Sequence, residues 1–495
     1  MADLVSRIRA RLLVDPGGEG APTQPDAGAL TRAVALDALN QLRREPDPAV
    51  TETGLDDALA AFQARRGIPV TRSADPDTLR ELSNALLEGQ SRRLSQLTDA
   101  HIPTTAPALE PNHPSRTSVV LVGDTAFGAT PGARALADRV ARAGGSSFEL
   151  FEPNVREILA GADATVANLE STILEDAGDH ERWANKPFGT DNPNAERAYE
   201  EAYFFHGPPT ALEATSDAWA GIDVVSLANN HIADFGESGM RETQRHLEAL
   251  GFSYSGVGEG DAAYAPALYT TPEGERIAVF SFTTVYGEDE LIESASTPSV
   301  ARDGEIGVAV ASPDRYDAIT EVIARYEDRV DMAVVYMHWG FERDPLPRQE
   351  DIDLAHLMAD AGADVIVGAH SHVLSGAELY RAQRGDGSEV AVPIFYGLSN
   401  FVFNPTRTGL LRIEADHDDD MIDHVAFRPA IIPNWGDEPR LAGWFGRRQI
   451  MDQLRANSAA LETERDGAVS LFREAELSAT HDGWFYFDLN RLRGD

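Results

Sequence analysis

The chain has 495 residues, of which 42 are Lys or Arg and 81 are Asp or Glu, so its formal net charge is −39 at pH 7. A protein this acidic repels nucleic acids and anionic membrane surfaces, and we expect neither as a partner. Hydrophobic residues make up 42% of the chain, which favours a globular protein over a disordered one. Lys186 is the only lysine, and an acidic surface almost without lysine fits a salt-tolerant or halophilic source.

The sequence contains no cysteine, so a metal would have to be bound by His, Asp, Glu and Asn. Arginines interrupt the apolar residues of the first 14 positions, which is unlike a signal peptide. No run of about 18 apolar residues occurs, so no transmembrane segment is predicted. We therefore expect a cytoplasmic protein, and the sequence leaves its oligomeric state open.

Three segments precede the main part of the chain. Residues 1–26 have the pattern of a short amphipathic helix and a linker rich in Gly, Pro and Asp. Residues 27–90 have a helical pattern that resembles a peptidoglycan-binding-like helical domain, with a small docking module as an equal alternative. This resemblance rests on Phe62-Gln63, Gly67-Ile68 and Thr78-Leu79. Residues 91–116 are expected to be an interdomain linker.

From residue 117 onward, short apolar runs alternate with helical stretches, which favours an α/β fold with sheets flanked by helices. The predicted strands are Ser118–Val122, Ala164–Val166, Asp223–Leu227, Ile277–Phe282, Met332–Met337, Val365–Val367 and Val392–Tyr396. We assign residues 117–435 to this α/β domain and residues 436–495 to a C-terminal cap. In the cap, the pattern predicts a helix at Gln449–Leu477 and a strand at Trp484–Leu489.

Ligand-type side chains follow five of the predicted strands. They are Asp124; Asn168 and Glu170; Asn229, Asn230, His231 and Asp234; His338 and Glu342; and His370 and His372. Because open α/β sheets place their ligands at the carboxyl ends of strands, we expect these side chains to meet. They form a mixed oxygen and nitrogen set suited to Mn, Fe or Zn, and the set is larger than one metal needs. The sequence therefore predicts two divalent metal ions bridged by a carboxylate.

Each cluster taken alone has a structural explanation. A Gly-Asp pair after a strand is a common turn, an Asn-His pair can close on its own backbone, and His338 beside Trp339 could be a core histidine. The pair His370 and His372 is more specific, because side chains two residues apart project to the same side of an extended segment. The five clusters together favour the metal site.

Several motifs extend this pattern over nearly all of the α/β domain. They are Gly123-Asp124, Asn168-Leu169-Glu170, Ser226–His231 with Asp234, Gly236 and Gly239, His338-Trp339-Gly340 with Glu342, Gly362–Gly368 with His370 and His372, and Leu398–Phe401. With these motifs, residues from about 118 to 403 resemble the CapA-type family of poly-γ-glutamate capsule synthesis proteins. The resemblance implies the calcineurin-like metallophosphoesterase sandwich, in which sheets are flanked by helices.

The same resemblance implies roles for individual residues. The implied metal ligands are Asp124 and His372 for one ion, Asn230, His338 and His370 for the other, and Glu170 as the bridge. His231 would protonate a leaving group, and Asp234 is a second catalytic candidate. One departure is visible, because the superfamily's first motif, Asp-x-His, here has Ala126 in place of the histidine. We expect Asn168 or a water to occupy that ligand position.

The implied chemistry is hydrolysis of an amide or a phosphoester through a metal-bridging hydroxide, in poly-γ-glutamate or other envelope-polymer metabolism. The expected substrate is an anionic polymer, a peptide or a phosphoester. Its predicted contacts are Asn168, Asn229, Lys186, Glu342, Arg343 and Asn400, with Arg348 as a further cationic candidate. Two alternatives stay open: a metal-dependent peptide epimerase that abstracts a Cα proton, and a non-catalytic metal-binding scaffold.

Overall fold

The computed structural model describes residues 55–66, 70–72, 116–127, 151–177, 204–212, 221–271, 274–285, 300–301, 304–404, 406–416, 422–433, 438–461, 468–470, 478–479 and 483–489. The chain divides into two units, Met1–Pro107 and Ala108–Asp495. The described helices are α1 (Leu55–Arg66), α2 (Pro153–Ala160), α3 (Gly236–Leu250), α4 (Tyr316–Ala324), α5 (Gln349–Asp360) and α6 (Trp444–Ala459). None of these described helices is long and apolar enough to span a membrane.

The described strands are β1 (Arg116–Thr125), β2 (Ala164–Leu169), β3 (Thr172–Ile173), β4 (His206–Gly207), β5 (Val224–Ser226), β6 (Ser253–Ser255), β7 (Val257–Glu259), β8 (Ala267–Thr270), β9 (Arg276–Thr283), β10 (Ile306–Val308), β11 (Met332–His338), β12 (Val365–Ala369), β13 (Ala377–Gln383), β14 (Glu389–Phe395), β15 (Asn400–Val402), β16 (Thr406–Asp416), β17 (Ile422–Ile432), β18 (Arg440–Leu441), β19 (Ala468–Ser470), β20 (Ser478–Ala479) and β21 (Phe485–Asp488). Each of the predicted strands in residues 117–435 is found at its predicted place. These predictions are therefore confirmed.

In the first unit, the structure describes α1 and a short segment after it. Gln63, near the end of α1, is fully buried. Its Oε1 accepts hydrogen bonds from the backbone N–H groups of Thr71 and Arg72, both at 3.0 Å. The helical prediction is confirmed for α1, whereas most of the predicted module at 27–90 lies outside the described residues.

Two large sheets form most of the described second unit, and two two-stranded sheets, β7 with β10 and β3 with β4, accompany them. The first has ten strands in the order β20-β21-β17-β16-β1-β2-β5-β6, with β15 beside β1 and β18 beside β17. In it β1, β2, β5 and β6 are parallel, and β16, β17 and β21 continue the sheet in antiparallel fashion. The second has seven strands in the order β19-β13-β14-β12-β11-β9-β8, of which β9, β11, β12 and β14 are parallel. Each sheet therefore contains a block of parallel strands whose carboxyl ends lie on one edge.

The strand period of two residues explains how the layers pack. In β1, Val119 and Leu121 enter a core between the two sheets, while Val120 and Val122 enter a second core with α2 and α3. The residues of β11 alternate in the same way between the central core and a third core with α4 and α5. The result is a helix–sheet–sheet–helix sandwich, which confirms the predicted α/β fold with sheets flanked by helices.

The C-terminal segment differs from its prediction. The sequence predicts a helix at Gln449–Leu477, but α6 ends at Ala459, and the chain then forms β19. β19 pairs with β13 in the second sheet, and β21, within the strand predicted at Trp484–Leu489, pairs with β17 in the first. A polar stretch carries no local signal for pairing with a distant strand, so the helix was predicted too long. The predicted cap contributes strands to both sheets.

Candidate metal centre

The predicted ligands lie where parallel strands of the two sheets end. In the first sheet, Asp124 of β1 pairs with Asn168 of β2 on one side and with Asn400 of β15 on the other. In the second sheet, His338 is the last residue of β11, and His370 directly follows β12. Each of these residues is held by a buried strand or comes directly after one. Sheet register therefore fixes much of the site's geometry.

Two glycines allow the chain to approach closely just before the ligand residues. A Cβ at Gly123 would overlap the carbonyl oxygen of Ser399, which accepts a hydrogen bond from the Asp124 N–H at 3.0 Å. A Cβ at Gly368 would overlap the carbonyl oxygen of Tyr396. Glycine is required at both places because any side chain would push these backbone segments apart.

The structure gathers the predicted ligands into two groups. The His338 group consists of Glu170, His338 and His370, and the His372 group consists of Asp124, Glu170 and His372. Within each group the candidate ligand atoms all lie within 4.8 Å of one another. Glu170 belongs to both groups, as a bridging carboxylate would. A third group, at Glu175, Glu242 and His246, is more exposed, and there Arg245 already lies 3.4 Å from Glu242.

Glu170 is the clearest structural indication of a bound cation. Its side chain is fully buried, and neither carboxylate oxygen accepts a hydrogen bond from a described residue. Burial and then the negative charge of Asp124 raise the pKa of Glu170 well above its usual range. A buried carboxylate is costly unless a cation or hydrogen bonds compensate it. The residues present therefore fit divalent ions placed on either side of Glu170.

The His338 group is buried and rich in nitrogen. His338 Nε2 lies 2.8 Å from Asn230 Oδ1 and 3.8 Å from Glu170 Oε1, and the rings of His338 and His370 have centroids 4.8 Å apart. Ligand atoms about 2.1 Å from a shared ion are roughly 3 to 3.5 Å apart, so both atom–atom distances lie within a few tenths of an ångström of the spacing around one ion. Burial and then the neighbouring histidines lower the pKa of His338 well below its usual range. The imidazole is therefore neutral, which is the form that binds metals.

The His372 group is richer in oxygen and closer to solvent. His372 Nδ1 lies 3.2 Å from Asp124 Oδ2 and 2.7 Å from Asn400 Oδ1, and the His372 side chain is 14% exposed. Burial lowers the pKa of His372, but the charge of Glu170 and the hydrogen bond with Asp124 outweigh burial and raise it to about 10. In the metal-free chain this imidazole would carry a proton, which an ion bound by the two carboxylates would displace in order to coordinate the ring.

Apolar packing fills the position of the missing histidine. Ala126 is fully buried in a small cluster with Phe205 and Phe403. Asn168 is committed elsewhere, because its Nδ2 donates to the Asp124 carboxylate at 2.8 Å and its Oδ1 accepts from Asn229 Nδ2 at 3.1 Å. The expectation that Asn168 or a water takes this ligand position stays a prediction.

Three predicted substrate contacts are buried amides that hold other residues of the site, namely Asn168, Asn229 and Asn400. Asn229 Nδ2 also donates to the Leu169 carbonyl at 2.8 Å, and its Oδ1 accepts from the N–H groups of His231 at 3.1 Å and Ile232 at 2.9 Å. With both ends of its amide used inside the protein, Asn229 has no group left for a substrate. We therefore correct the role of Asn168 and Asn229 from substrate contact to positioning, and Asn400 orients His372.

His231 and Asp234 form a buried pair. His231 Nδ1 lies 3.0 Å from Asp234 Oδ2, which also accepts the backbone N–H of Phe205 at 2.7 Å. Burial raises the pKa of Asp234, and the nearby His231 opposes that shift. No described residue bonds His231 Nε2. The pair can therefore keep a proton on Nδ1 while Nε2 remains available to a substrate.

Glu342 and Arg343 are exposed on the loop after β11. The Arg343 N–H donates to the Ser371 carbonyl at 2.7 Å, which ties this loop to the segment that carries the two β12 histidines. The charge of Glu342 contributes to the raised pKa of Glu170, so its carboxylate lies in the field of the site. Both residues are therefore placed at the opening of the metal centre.

The remaining two cationic candidates are Arg348 and Lys186. Arg348 donates from Nη2 to Asp351 Oδ1 and to Thr284 Oγ1, both at 2.8 Å. Its guanidinium thereby takes part in capping the start of α5, and its predicted contact with an anionic polymer stays a prediction. Lys186 lies outside the described residues, so its predicted contact stays a prediction.

Two aromatic residues of the site were not predicted. The ring of Phe205 stacks on His231 with centroids 3.6 Å apart, and the ring of Phe403 stacks on His372 at 4.9 Å. Aromatic residues in apolar runs look like ordinary core, so the sequence carries no signal for them beyond the nearness of Phe403 to the Leu398–Phe401 motif. The backbone of His370 and His372 has φ of 81° and 55°, a strained region common at functional sites.

A family model described as bacterial capsule synthesis protein PGA_cap matches residues 118–405. The match spans more than half of the chain and includes both ligand groups and the His231–Asp234 pair. This chain belongs to the PGA_cap family. The family resemblance inferred from the strand-end motifs is confirmed.

Two relatives of this PGA_cap protein match it over less than two fifths of its length. Capsule biosynthesis protein CapA of Bacillus anthracis is 36% identical over 197 residues, 38% of this chain and 42% of that protein. PGA biosynthesis protein CapA of Bacillus subtilis (strain 168) is 35% identical over 192 residues, 37% of this chain and 44% of that protein. The chain thus spans less than half the length of these two relatives. A solved structure described as a novel phosphatase from Mycoplasma pneumoniae gives a TM-score of 0.34 at 10% identity over 64% of this chain and 95% of that one, too slight a likeness to support an inference.

Proposed function

We propose that this PGA_cap protein is a metal-dependent hydrolase that cleaves an amide or a phosphoester, with two divalent ions held by the His338 and His372 groups. The observation that carries the proposal is Glu170, a fully buried carboxylate that belongs to both groups and has no described hydrogen-bond donor. Paired ions that share a carboxylate are typical of hydrolytic metal sites. The mixed oxygen and nitrogen ligands suit Mn, Fe or Zn.

Divalent ions at these positions would lower the pKa of a coordinated water and neutralise charge on a substrate oxyanion. The side chains supply orientation and a proton. Asp124 is fixed by Asn168 Nδ2 at 2.8 Å and by the His370 N–H at 3.1 Å, so its carboxylate is held in one orientation. His231, as an imidazolium, would donate a proton from Nε2 to the departing group while Asp234 holds the Nδ1–H.

The substrate class that we propose first is a γ-glutamyl amide of a capsule or envelope polymer. The two CapA relatives carry names that refer to capsule and PGA biosynthesis. An anionic polymer approaching a chain of net charge −39 needs local positive charge, and bound divalent ions together with exposed Arg343 would provide it. A phosphoester is the second substrate class, because the same metal arrangement serves both reactions.

Elemental analysis of the purified full chain tests the metal part of the proposal. We expect about two ions per chain for the wild type, about one for His370→Ala and almost none for Glu170→Gln. His356→Ala is the matched control, because His356 Nε2 bonds buried Glu378 at 2.7 Å outside both ligand groups, and this variant should keep both ions. Equal metal content in Glu170→Gln and the wild type would contradict a shared carboxylate.

Activity of the metal-loaded chain tests the reaction. We expect γ-glutamyl amides or phosphodiesters to release a new acid group with the wild type and His356→Ala, but not with Glu170→Gln. Incorporation of solvent deuterium at Cα without bond cleavage would instead support a peptide epimerase. A protein that binds both ions yet produces neither change with these substrates would contradict the hydrolase proposal and favour a metal-binding scaffold.

A further inference from the structure

Four rings form a continuous chain from one side of the candidate site to the other. His231 stacks on Phe205 with centroids 3.6 Å apart and planes 19° apart. Phe205 meets Phe403 edge to face at 5.6 Å, and Phe403 stacks on His372 at 4.9 Å and 17°. Phe205 and Phe403 are 6% and 2% exposed. We call these two residues the aromatic bridge, since they connect the histidine after β5 with the second histidine after β12.

The aromatic bridge is separate from the large hydrophobic cores. Its only partner in its own buried cluster is Ala126, the residue that replaces the histidine of the superfamily's first motif. A histidine at that position would place a polar ring against these two phenyl rings. The loss of the ligand and the presence of the bridge are therefore parts of one local arrangement.

Phe205 holds the proton-donor pair in two ways. Its ring covers one face of the His231 imidazole, and its backbone N–H donates to Asp234 Oδ2 at 2.7 Å. The same Asp234 oxygen lies 3.0 Å from His231 Nδ1. Phe205 thus fixes the plane of the His231 imidazole through its ring. Through its backbone N–H it also holds the Asp234 carboxylate, which sets the rotation of the imidazole within that plane.

We propose that the aromatic bridge consists of two positioning residues: Phe205 sets the orientation of the His231 ring for proton transfer, and Phe403 sets that of the metal-binding ring of His372. Stacking of flat rings restricts tilt without using a ring nitrogen, so Nε2 of His231 stays available. A leucine of similar volume would fill the space but would not hold the ring plane. The part of this inference that concerns proton transfer rests on the proposed hydrolase function, while the ring geometry does not.

Ring-current shifts test the geometry without any activity. In the full chain, with selectively labelled histidines in a deuterated background, the carbon-bound ring protons of His231 and His372 should resonate upfield of ordinary histidine positions. Assignment uses His231→Asn and His372→Asn. Phe205→Leu should return the His231 signals to ordinary positions and leave those of His372 less changed, and Phe403→Leu should do the reverse. Ordinary positions for both histidines in the wild type would overturn the proposal, even if no leucine variant folds.

Substrate pairs test the function of Phe205. A proton donor contributes about a hundredfold or more when the leaving group is strongly basic, and little when it leaves as a stable anion. We expect Phe205→Leu to lose about tenfold to a hundredfold in kcat on a substrate with an alkyl leaving group, and less than about threefold on the matching nitrophenyl substrate. Phe205→Tyr, which keeps the stacked ring, should restore most of the loss.

Phe280→Leu is the matched control, because Phe280 is fully buried in the core with α4 and α5 and stacks on Phe282 away from both histidines. It should affect both substrates equally. Equal losses on both substrates with Phe205→Leu would show a merely structural role and overturn the proposal. A wild type without hydrolase activity would refute the proposed function, yet the ring-current result would still decide whether the bridge holds the histidines.

Discussion

The two ligand groups share Glu170 but differ in almost every other property. In the His338 group both imidazoles are completely buried, and Asn230 Oδ1 adds an oxygen 2.8 Å from His338 Nε2. In the His372 group the only imidazole is 14% exposed, and Asp124 supplies the second charge. The first group offers two imidazoles in a dry environment, and the second offers one imidazole and two carboxylates closer to solvent.

Ala126 packs in one buried cluster with the aromatic bridge, and Phe403 of that bridge stacks on His372. With two carboxylates and only one imidazole, the His372 group favours metal ions that prefer oxygen ligands and is less selective for Zn. The shared carboxylate keeps the two groups coupled, so we expect two ions of unequal affinity rather than the loss of one site.

Replacing the shared carboxylate should have the largest effect. With Glu170→Gln, both ions should be lost, and the metal-dependent rise in Tm should disappear. The metal-free protein should at the same time become more stable by roughly 1–3 kcal/mol, since glutamine replaces a buried carboxylate that accepts no hydrogen bond from a described residue with a neutral amide. Thermal unfolding with and without chelator measures both changes.

Glu170→Gln is expected to remove the stabilisation by metal and to increase the stability of the metal-free protein, and a merely disruptive substitution would not combine these two effects. Glu378→Gln is a suitable control, because Glu378 is also buried but accepts hydrogen bonds from Tyr396 at 2.6 Å and faces His356 at 2.7 Å. This control should destabilise the protein and leave the metal-dependent rise in Tm intact. If Glu170→Gln lowered the stability of the metal-free chain, the idea of an uncompensated carboxylate would be wrong.

Removing one histidine from each group should separate the two ions. His370→Ala should weaken the tighter Zn-binding step, and His372→Ala should weaken the weaker one. In each case the affinity should fall by more than the tenfold to hundredfold that is typical when a residue that only contacts a metal ligand is lost. With Mn the two wild-type steps should lie closer together, because Mn favours oxygen ligands more than Zn does. Isothermal titration calorimetry of the chelator-treated protein with each metal measures these steps.

A single step with the same affinity in both variants would contradict the division into two groups. A reversed order, with the weaker step lost in His370→Ala, would instead mean that carboxylate charge outweighs imidazole number in this protein.

The framework of the site was predictable because its signals are local. The apolar alternation of Val119–Val122 indicates a buried strand without reference to any other part of the chain. Asp124, His338 and His370 each follow such a run at the end where open sheets bind ligands. The family motifs then supplied the partition of these residues between two ions, which periodicity alone does not provide.

The rest depends on partners that are distant in the sequence. Asn168 looks like a ligand or a substrate contact until Asn229, 61 residues away, is seen to occupy its oxygen. Phe205 looks like ordinary core until its ring is found on His231. The end of α6 depends in the same way on β13, which pairs with β19. Three-dimensional pairing decides such roles, and no local pattern encodes it.

The smallest effect that we predict comes from an amide next to the His372 group. Asn400 Oδ1 lies 2.7 Å from His372 Nδ1, and partners of this kind orient a metal-binding imidazole. Asn400→Ala should therefore weaken the weaker metal-binding step by about tenfold to a hundredfold and leave the tighter step unchanged. Asn400→Asp keeps an acceptor and should restore most of the affinity. Equal weakening of both steps by Asn400→Ala would contradict this prediction. It would mean that the two groups are strongly coupled through Glu170, because a change at one imidazole would then alter the affinity for the other ion.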